Sequence, residues 1–459
     1  MSKRFISHSP MFRLLLAAAG TTCALSAAQA HAAPTLEGWA LMPAQTSAVG
    51  PTSGQFAITP TSAPYLPVVN GQPVQGFSAV LDGPRPGTYD VMPDNGFGAQ
   101  NNSADTLLRM YAVRPEWKRW NGYRISGEGS VKPAAFRGGR ALDAFEQASF
   151  IKLRDPEHKL TFTLQADLDN YYGVATNPAV DAAIKAERLL TGADFDIESV
   201  RRDRRGNLWF GDEFGPFLVK TDKTGKVLKA EISLPNVPPP GSSAVGAFVQ
   251  SPQNPFLAGA TPNLGRSLGF EGMALNASRT KLYPLLEGSV VGDPAGSLRI
   301  SEFDLDTEAY TGRTLLYKLD ALGTNIGDMT AINDHEFLVI ERNGNTATTA
   351  GAPYKRIFVV DLDRVDAAGF VQKTELVDLM SVADPHDLNA DGSNVFTFPY
   401  VTIESVLVVN SRTLLVINDN NFPGGGGRAA APDQTEFLLI GLDRSLPLRG
   451  GACPGNRDD

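Results

Sequence analysis

Residues 194–217 read DFDIESVRRDRRGNLWFGDEFGPF. Asp196 and Glu198 flank a short apolar entry. A basic turn containing Gly206 follows, then the apolar run LWF, then the acidic pair Asp212-Glu213. Residues 402–421, TIESVLVVNSRTLLVINDNN, repeat the plan with Glu404 and Asp419. Three more segments share it: GFSAVLDGPRPGTYDVMPDNG (76–96), GFEGMALNASRTKLYPLLEG (269–288) and GDMTAINDHEFLVIER (327–342). Aligned on Ser78, Glu198, Glu271, Thr330 and Glu404, the units are separated by 120, 73, 59 and 74 residues. Repetition of one strand–turn–strand unit is the signature of a repeat architecture. The gap of 120 leaves room for one unit without the signature, within 125–190. The prediction is therefore all-β: a six-bladed β-propeller with inserted loops and one short helical excursion.

The rest of the chain fits that frame. Apolar runs such as LYPLLEG (282–288), RIFVVDLD (356–363) and EFLLIGLD (436–443) are too short for helices and are bounded by turn residues. The 45 glycines and 32 prolines supply many turns, and an apolar share of 42% can build a large core. NPAVDAAIKAERLL (177–190) is the one good helix candidate. The Pro/Gly/Ser-rich stretch 235–263 reads as an inserted loop that could cover a site. The expected organisation is a signal peptide over 1–30, leader strand and loops over 31–75, the propeller over 76–445, and a flexible tail over 446–459.

The leader carries Lys3, Arg4 and Arg13, an apolar stretch from Met11 to Ala28, and small-residue cleavage sites near Ala30 or Ala32. That is the pattern of a secretory signal peptide, so a secreted or periplasmic protein is expected. Cleavage after residue 30 removes three positive charges and no acid, moving the net charge from −9 to −12. An acidic surface is a poor partner for nucleic acid or anionic membranes, and a better one for cations. Only Cys453 survives cleavage, so disulfides, thiol-ligated metals and cysteine catalysis are not expected. No later segment is apolar enough to span a bilayer, and a monomer is expected.

In a propeller the innermost strand of each blade lines a central channel, so residues at matching positions meet around one axis. Glu198, Glu271 and Glu404 form one such set. Asp212, Glu213, Glu287, Glu341 and Asp419 form a second, with Asp94 and Asp328 related by position. Crowded carboxylates raise one another's pKa unless a cation compensates. An oxygen-rich set without thiols selects a hard cation, and Ca²⁺ accepts many oxygens in flexible geometry, with Mg²⁺ or Mn²⁺ as alternatives. The expected metal ligands are Glu198, Asp212, Glu271, Glu287, Asp328, Glu404, Asp419 and Asn420. The expected catalytic groups are Glu213 and Glu341, with Arg342 and Lys220 to neutralise an anionic substrate. Arg342 and Lys220 equally suit ordinary ion pairs. His158, His335 and His386 lack zinc-ligand spacing, no G-x-S-x-G elbow is present, and GGGG (424–427) is not followed by the Lys-Ser/Thr of a phosphate loop.

At these residues the chain resembles the phytase-like propeller family named for "esterase-like activity of phytase". The segments DIESVRRDRRGNLWFGDEFGPFLVKTDKTGKV, GFEGMALNASRTKLYPLLEG, IGDMTAINDHEFLVIERNGN and YVTIESVLVVNSRTLLVINDNNFP carry the resemblance, which runs from about 76 to 443. It implies a secreted or periplasmic β-propeller with a hydrolase role on a small-molecule ester or phosphoester. Carried over by position, Glu198, Asp212, Glu213, Glu271, Glu287, Asp328, Glu341, Arg342, Glu404, Asp419 and Asn420 are its motif residues. The Asp-rich opening motif of the β-propeller phytases, which bind a phosphate-rich substrate through Ca²⁺, is not found. Two other functions fit the same acids: a non-catalytic binding propeller with a structural Ca²⁺, and a lactonase of the gluconolactonase type.

Overall fold

The computed structural model describes Met1, residues 33–428 and residues 432–448. The expected signal peptide and most of the expected C-terminal tail lie outside the described residues. No helix among the described residues is long and apolar enough to cross a membrane.

Among the described residues, three main sheets are four-stranded antiparallel blades, and a larger sheet divides at the parallel Leu41–Ser130 pair into two more, giving five blades. The first runs Phe77–Asp82, Tyr89–Pro93, Arg109–Glu116 and Ser130–Pro133. The second is Ile197–Arg202, Leu208–Asp212, Phe217–Thr221 and Ile232–Ser233. The third is Phe270–Leu275, Lys281–Leu286, Ser297–Asp304 and Ala309–Lys318. The fourth is Asn325–Ala331, Glu336–Arg342, Lys355–Val365 and Val371–Asp378. The fifth takes Thr402–Asn410, Thr413–Asp419 and Thr435–Gly441 from the end of the chain, and Thr35–Met42 from its beginning. Thr35–Met42 pairs antiparallel with Thr435–Gly441, so the two ends of the fold share one sheet and the ring closes without a covalent link.

The innermost strands form a complete circuit. Each packs on the next, and Thr402–Asn410 packs back on Phe77–Asp82. Five apolar clusters fill the junctions between neighbouring blades. Met92, Met110, Phe195, Val200 and Phe210 lie between the first and second, and Trp209, Phe270, Met273 and Leu282 between the second and third. Leu285, Met329, Phe337 and Val339 lie between the third and fourth, Ile340, Ile357, Ile403 and Val416 between the fourth and fifth, and Phe77, Val80, Leu415 and Phe437 between the fifth and first. A blade buried on both faces needs continuous apolar strands rather than alternating ones, which is why Glu336–Arg342 reads EFLVIER and is buried from its second residue onward.

Among the described residues the inner strands of five blades close the circuit, where six were predicted. The 120-residue gap holds no sixth four-stranded sheet. It holds the outer strands of the first blade, a short strand Phe150–Lys152 paired with Arg109–Tyr111, three 3-10 turns and one helix. The helix is Ala182–Glu187, shorter than the predicted 177–190. Asp181 caps its N-terminus by accepting from the Ala183 amide at 2.8 Å. It stops at Arg188, which adopts a left-handed conformation and ion-pairs with Asp155 and Asp167. The loop expected over 235–263 packs on the second and third blades through Val249. Its Ser251 Oγ donates to the Phe214 carbonyl and its Asn254 Nδ2 to that of Gly215, bracing the turn that follows Asp212-Glu213.

Candidate functional site

Each inner strand carries a β-bulge in its first turn of pairing. Ile197 pairs with Asp212 but Ser199 with Gly211, which leaves Glu198 as the extra residue. The same irregularity leaves Ser78 between Phe77 and Ala79, Glu271 between Phe270 and Gly272, and Glu404 between Ile403 and Ser405. In the fourth blade it falls between Ile326 and Met329, so Gly327 follows the paired Ile326 as Glu198 follows Ile197. Thr330, taken from the sequence as the matching position, lies deeper in the strand. A bulge re-aims a side chain out of the ladder, and here it turns three glutamates off the buried sheet faces.

The second strand of every blade ends at the same rim, because it runs antiparallel to the first. At that rim the second strand presents Asp94, Glu213 and Glu287 just past the pairing in blades one to three, and Arg342 and Asp419 as the last paired residues, opposite Asn325 and Thr402, in blades four and five. Two tiers of five result: Ser78, Glu198, Glu271, Gly327, Glu404, and Asp94, Glu213, Glu287, Arg342, Asp419. The first blade has Ser78 in the first tier but Asp94 in the second; only the fourth blade lacks an acid in both. It contributes no carboxylate to either tier, and its guanidinium occupies the space. One Arg342 nitrogen donates to Glu404 at 2.9 Å, Glu271 at 3.1 Å and Glu287 at 3.2 Å. Gly327 is needed beside it, since a Cβ there would stand 2.1 Å from the Ile403 carbonyl oxygen and 3.2 Å from the Glu404 Cα.

Other rim groups complete the network. Ser78 donates to Glu404 at 3.2 Å and Asn325 to Glu287 at 2.9 Å. Asp419 accepts from the Asn421 amide at 2.7 Å and from Thr402 at 3.3 Å. Asp196, one residue ahead of the second blade's bulged strand, joins the rim and its carbonyl receives the Glu213 amide at 2.9 Å. One oxygen each of Asp94, Asp196 and Glu198 lie within 4.8 Å of one another, and the same holds for Glu213, Glu271 and Glu287. Each trio contains one buried oxygen without a hydrogen-bond partner, Asp196 Oδ1 in the first and Glu213 Oε1 in the second.

Electrostatics follow from this crowding. Burial pushes Asp94, Asp196, Glu198, Glu213, Glu271, Glu287 and Glu404 above the usual carboxylate range, and neighbouring carboxylates push most of them further. Burial and then Glu404 lift Asp419 to about 7. Burial alone would lower Arg342, but Glu404, Glu287 and Glu271 outweigh it and hold the guanidinium more firmly protonated. Lys355 lies buried behind Arg342, donating to the carbonyls of Asn343 and Val401, and burial followed by the Arg342 charge lowers it to about 7.

Of the residues expected from sequence, Glu198, Glu213, Glu271, Glu287, Arg342, Glu404 and Asp419 meet at this rim. Asp212 and Glu341 precede the rim residue by one, and alternation along a strand turns them to the other face. Asp212 accepts from the amides of Asp196 (2.9 Å) and Gly215 (2.7 Å), and burial lifts it to about 8. Glu341 binds Tyr317, Lys373 and the Asp320 amide at 2.5–2.7 Å. Asp328 occupies the Ser199 position, one residue past the bulge, and pairs at 2.6 Å with Arg201 of the second blade. Lys220 bonds Glu308 at 2.5 Å and lies over the Trp209 ring. Asn420 donates to the Asp433 carbonyl at 3.0 Å. Sequence reasoning named Asp196 in the repeat but left it out of the site, because it has no counterpart acid in the other repeats, and it passed over Lys355, which opens an ordinary apolar strand.

The trios fit a hard divalent cation. They offer oxygen donors only, all but the half-buried Asp94 are buried, and each has a buried carboxylate oxygen without a hydrogen-bond partner. A third acidic group, His335 with Asp361 and Asp363, lies at the opposite rim of the fourth blade, where Asp361 is engaged by His335 at 3.1 Å and by Arg364 at 3.2 Å.

Fold and rim together define a five-bladed β-propeller with an acidic mouth held by a single guanidinium. The chain belongs to the phytase-like family described as "esterase-like activity of phytase", whose model matches residues 72–422 and so takes in all five inner hairpins. No curated protein matches the chain. Among solved structures, a luciferin-regenerating enzyme is similar at 9% identity and TM-score 0.33, covering 91% of this chain and 99% of that one. A GH43 β-1,3-galactosidase is similar at 11% identity and TM-score 0.36, with 81% and 91% covered. The Dos1 propeller is similar at 9% identity and TM-score 0.27, with 79% and 67% covered.

Proposed function

We propose that this protein is a Ca²⁺-dependent hydrolase of phosphate or carboxylic esters, acting at the acidic mouth after export from the cytoplasm. The observation that carries the reading is the pair of carboxylate trios, buried but for the half-buried Asp94, each with one buried oxygen left without a partner. Asp94, Asp196 and Glu198 would hold one cation, and Glu213, Glu271 and Glu287 a second or a shared one. A bound divalent cation supplies Lewis acidity and lowers the pKa of a coordinated water. Around it, Asp419 is suited to accept a proton near neutral pH, since burial and Glu404 lift it to about 7. Arg342 holds Glu271, Glu287 and Glu404 in one orientation and brings the only guanidinium among the described rim residues toward an anionic ester. Family membership supports the hydrolase class.

A second reading has its own support. Arg342 ties glutamates of the third and fifth blades together, as a purely structural centre would. A screen of the purified protein against aryl phosphates, aryl carboxylic esters and lactones, with Ca²⁺ and with EDTA, separates the two. EDTA-sensitive turnover of an aryl phosphate or ester is expected. Tight Ca²⁺ binding with no turnover of any substrate would leave the structural reading standing.

A further inference from the structure

A second concave surface lies at the other end of the first and second blades from the acidic mouth. Arg202 stands four residues along its strand from Glu198, about 13 Å away at the ~3.3 Å rise of a strand residue. Beside it, between the inner hairpins of the two blades, a cleft of about 350 Å³ opens to solvent. That is within the size range of small-molecule sites. Its floor is the buried Leu208, with the half-buried Phe136 packed on the same apolar cluster. Pro84 and Gly206, in the turns of the two hairpins, form walls. Gly206 faces open space, since a Cβ there would meet nothing within 4 Å. A further cleft of about 360 Å³ adjoins this one through Phe136 and Arg137, which line both.

The rim of the cleft is basic although the chain as a whole carries a net charge of −9. Arg202 bridges the two blades, donating to Asp90 at 2.5 Å and to the Asp82 carbonyl at 3.2 Å. Asp90 is the one carboxylate on the lining, and Arg202 already engages it. Arg137 and Lys223, on separate loops, are exposed and their side chains make no ion pair or hydrogen bond among the described residues. In the adjoining cleft Arg154 donates to the Lys152 and Thr224 carbonyls and to Thr224 Oγ1, and to no carboxylate. Cations beside an apolar floor define what fits. A bare inorganic anion would leave Leu208 and Phe136 uncovered, and a neutral hydrocarbon would leave the cations without a partner. The Phe136 ring and the guanidinium planes favour a flat apolar body. At the ~30 Å³ that a water takes in the liquid, 350 Å³ holds about a dozen non-hydrogen atoms.

We infer that this cleft is a second ligand site, separate from the acidic mouth, for an aromatic carboxylate of one or two rings. The ring system covers Phe136 and Leu208, and the carboxylate meets Arg137 and Lys223, with Arg202 held beside them by Asp90. Carboxylates crowd the mouth and cations line the cleft, so such a ligand is drawn to the cleft and repelled by the two trios. The site does not rest on the hydrolase reading above.

Binding of naphthoate to the full chain, followed by ligand-observed NMR in EDTA so that no cation at the mouth can hold the anion, tests the assignment. Naphthalenemethanol, inorganic sulfate and octanoate are the comparison ligands. Wild type is expected to bind naphthoate about tenfold more tightly than the alcohol or sulfate, and more tightly than octanoate. Arg137→Gln and Lys223→Gln combined in one protein should weaken naphthoate about tenfold, the order expected for lost charge-assisted hydrogen bonds. Both side chains are exposed, so the fold should survive their replacement. Lys226→Gln, which removes a nearby cation paired with Glu157 outside the cleft, should bind naphthoate as wild type does. Sulfate binding as tightly as naphthoate, or equal losses in Lys226→Gln and the double variant, would reduce the cleft to general surface charge and overturn the proposal. Unchanged naphthoate binding in the double variant would place the ligand elsewhere and overturn it too. Octanoate binding as tightly as naphthoate would overturn the aromatic assignment.

Discussion

Replacing Arg342 by Met removes the positive charge from the rim while keeping a side chain of similar reach. In the native protein one guanidinium nitrogen contacts three carboxylates at 2.9–3.2 Å, and all four side chains are buried. Removing one partner of a buried ion pair costs about 3–5 kcal/mol, because the remaining charge is left uncompensated. The loss should depend on pH, with a definite sign. Glu271, Glu287 and Glu404 already have raised pKa values in the folded state, and loss of Arg342 raises them further. The folded variant then binds protons that the unfolded chain has released, so its stability falls as pH rises above the unfolded value. Urea unfolding in EDTA should show a loss of about 3–5 kcal/mol at pH 8. At pH 5, where the glutamates can be neutral, the loss should shrink by at least about 1–2 kcal/mol, one pKa unit being worth about 1.4 kcal/mol. An equal loss at both pH values, or a loss under about 1 kcal/mol at pH 8, would refute the claim that Arg342 compensates buried charge.

Three further outcomes are expected. In EDTA the wild-type protein should itself lose stability between pH 4.5 and 8: Asp419 rises from 3.8 to about 7, so its favourable term is complete below about 4 and gone above about 7, with a ceiling near 4 kcal/mol for about three units. Saturating Ca²⁺ should flatten that slope, and a flat profile in EDTA would count against a strained acidic rim. Asp196→Asn and Glu213→Gln should each weaken Ca²⁺ binding by tenfold or more in calorimetry, with circular dichroism unchanged; native affinity in both would remove the two trios as cation sites. Gly327→Ala should cost about 3 kcal/mol or more or prevent soluble expression, because its Cβ would meet the Ile403 carbonyl at 2.1 Å, whereas Gly344→Ala, with nothing within 4 Å, should stay within about 0.5 kcal/mol. Equal stabilities of the two alanine variants in thermal melts would show that the fourth and fifth inner strands are not in close contact.

By itself the sequence determined the repeat unit, the β class and the convergence of carboxylates, because strand–turn–strand periodicity and acids at fixed offsets are local properties that survive any arrangement of the blades. Glu198, Glu271 and Glu404 were legible for that reason, as were Glu213, Glu287 and Asp419. The number of blades was not. Length between signatures cannot distinguish a degenerate blade from an excursion, and only the packing of Thr402–Asn410 against Phe77–Asp82 closes the ring at five. Nor could spacing show which of two adjacent residues faces the axis. The bulges set that register, and a shift of one residue reverses a side chain's face. It separates Arg342 from Glu341, and Glu213 from Asp212, turning one of each pair to the rim and the other into the blade. The break in fivefold acidity at the fourth blade was likewise a tertiary matter. Gly327 and Arg342 are 15 residues apart in sequence, and only the antiparallel pairing of their strands sets them together against the glutamates of two other blades.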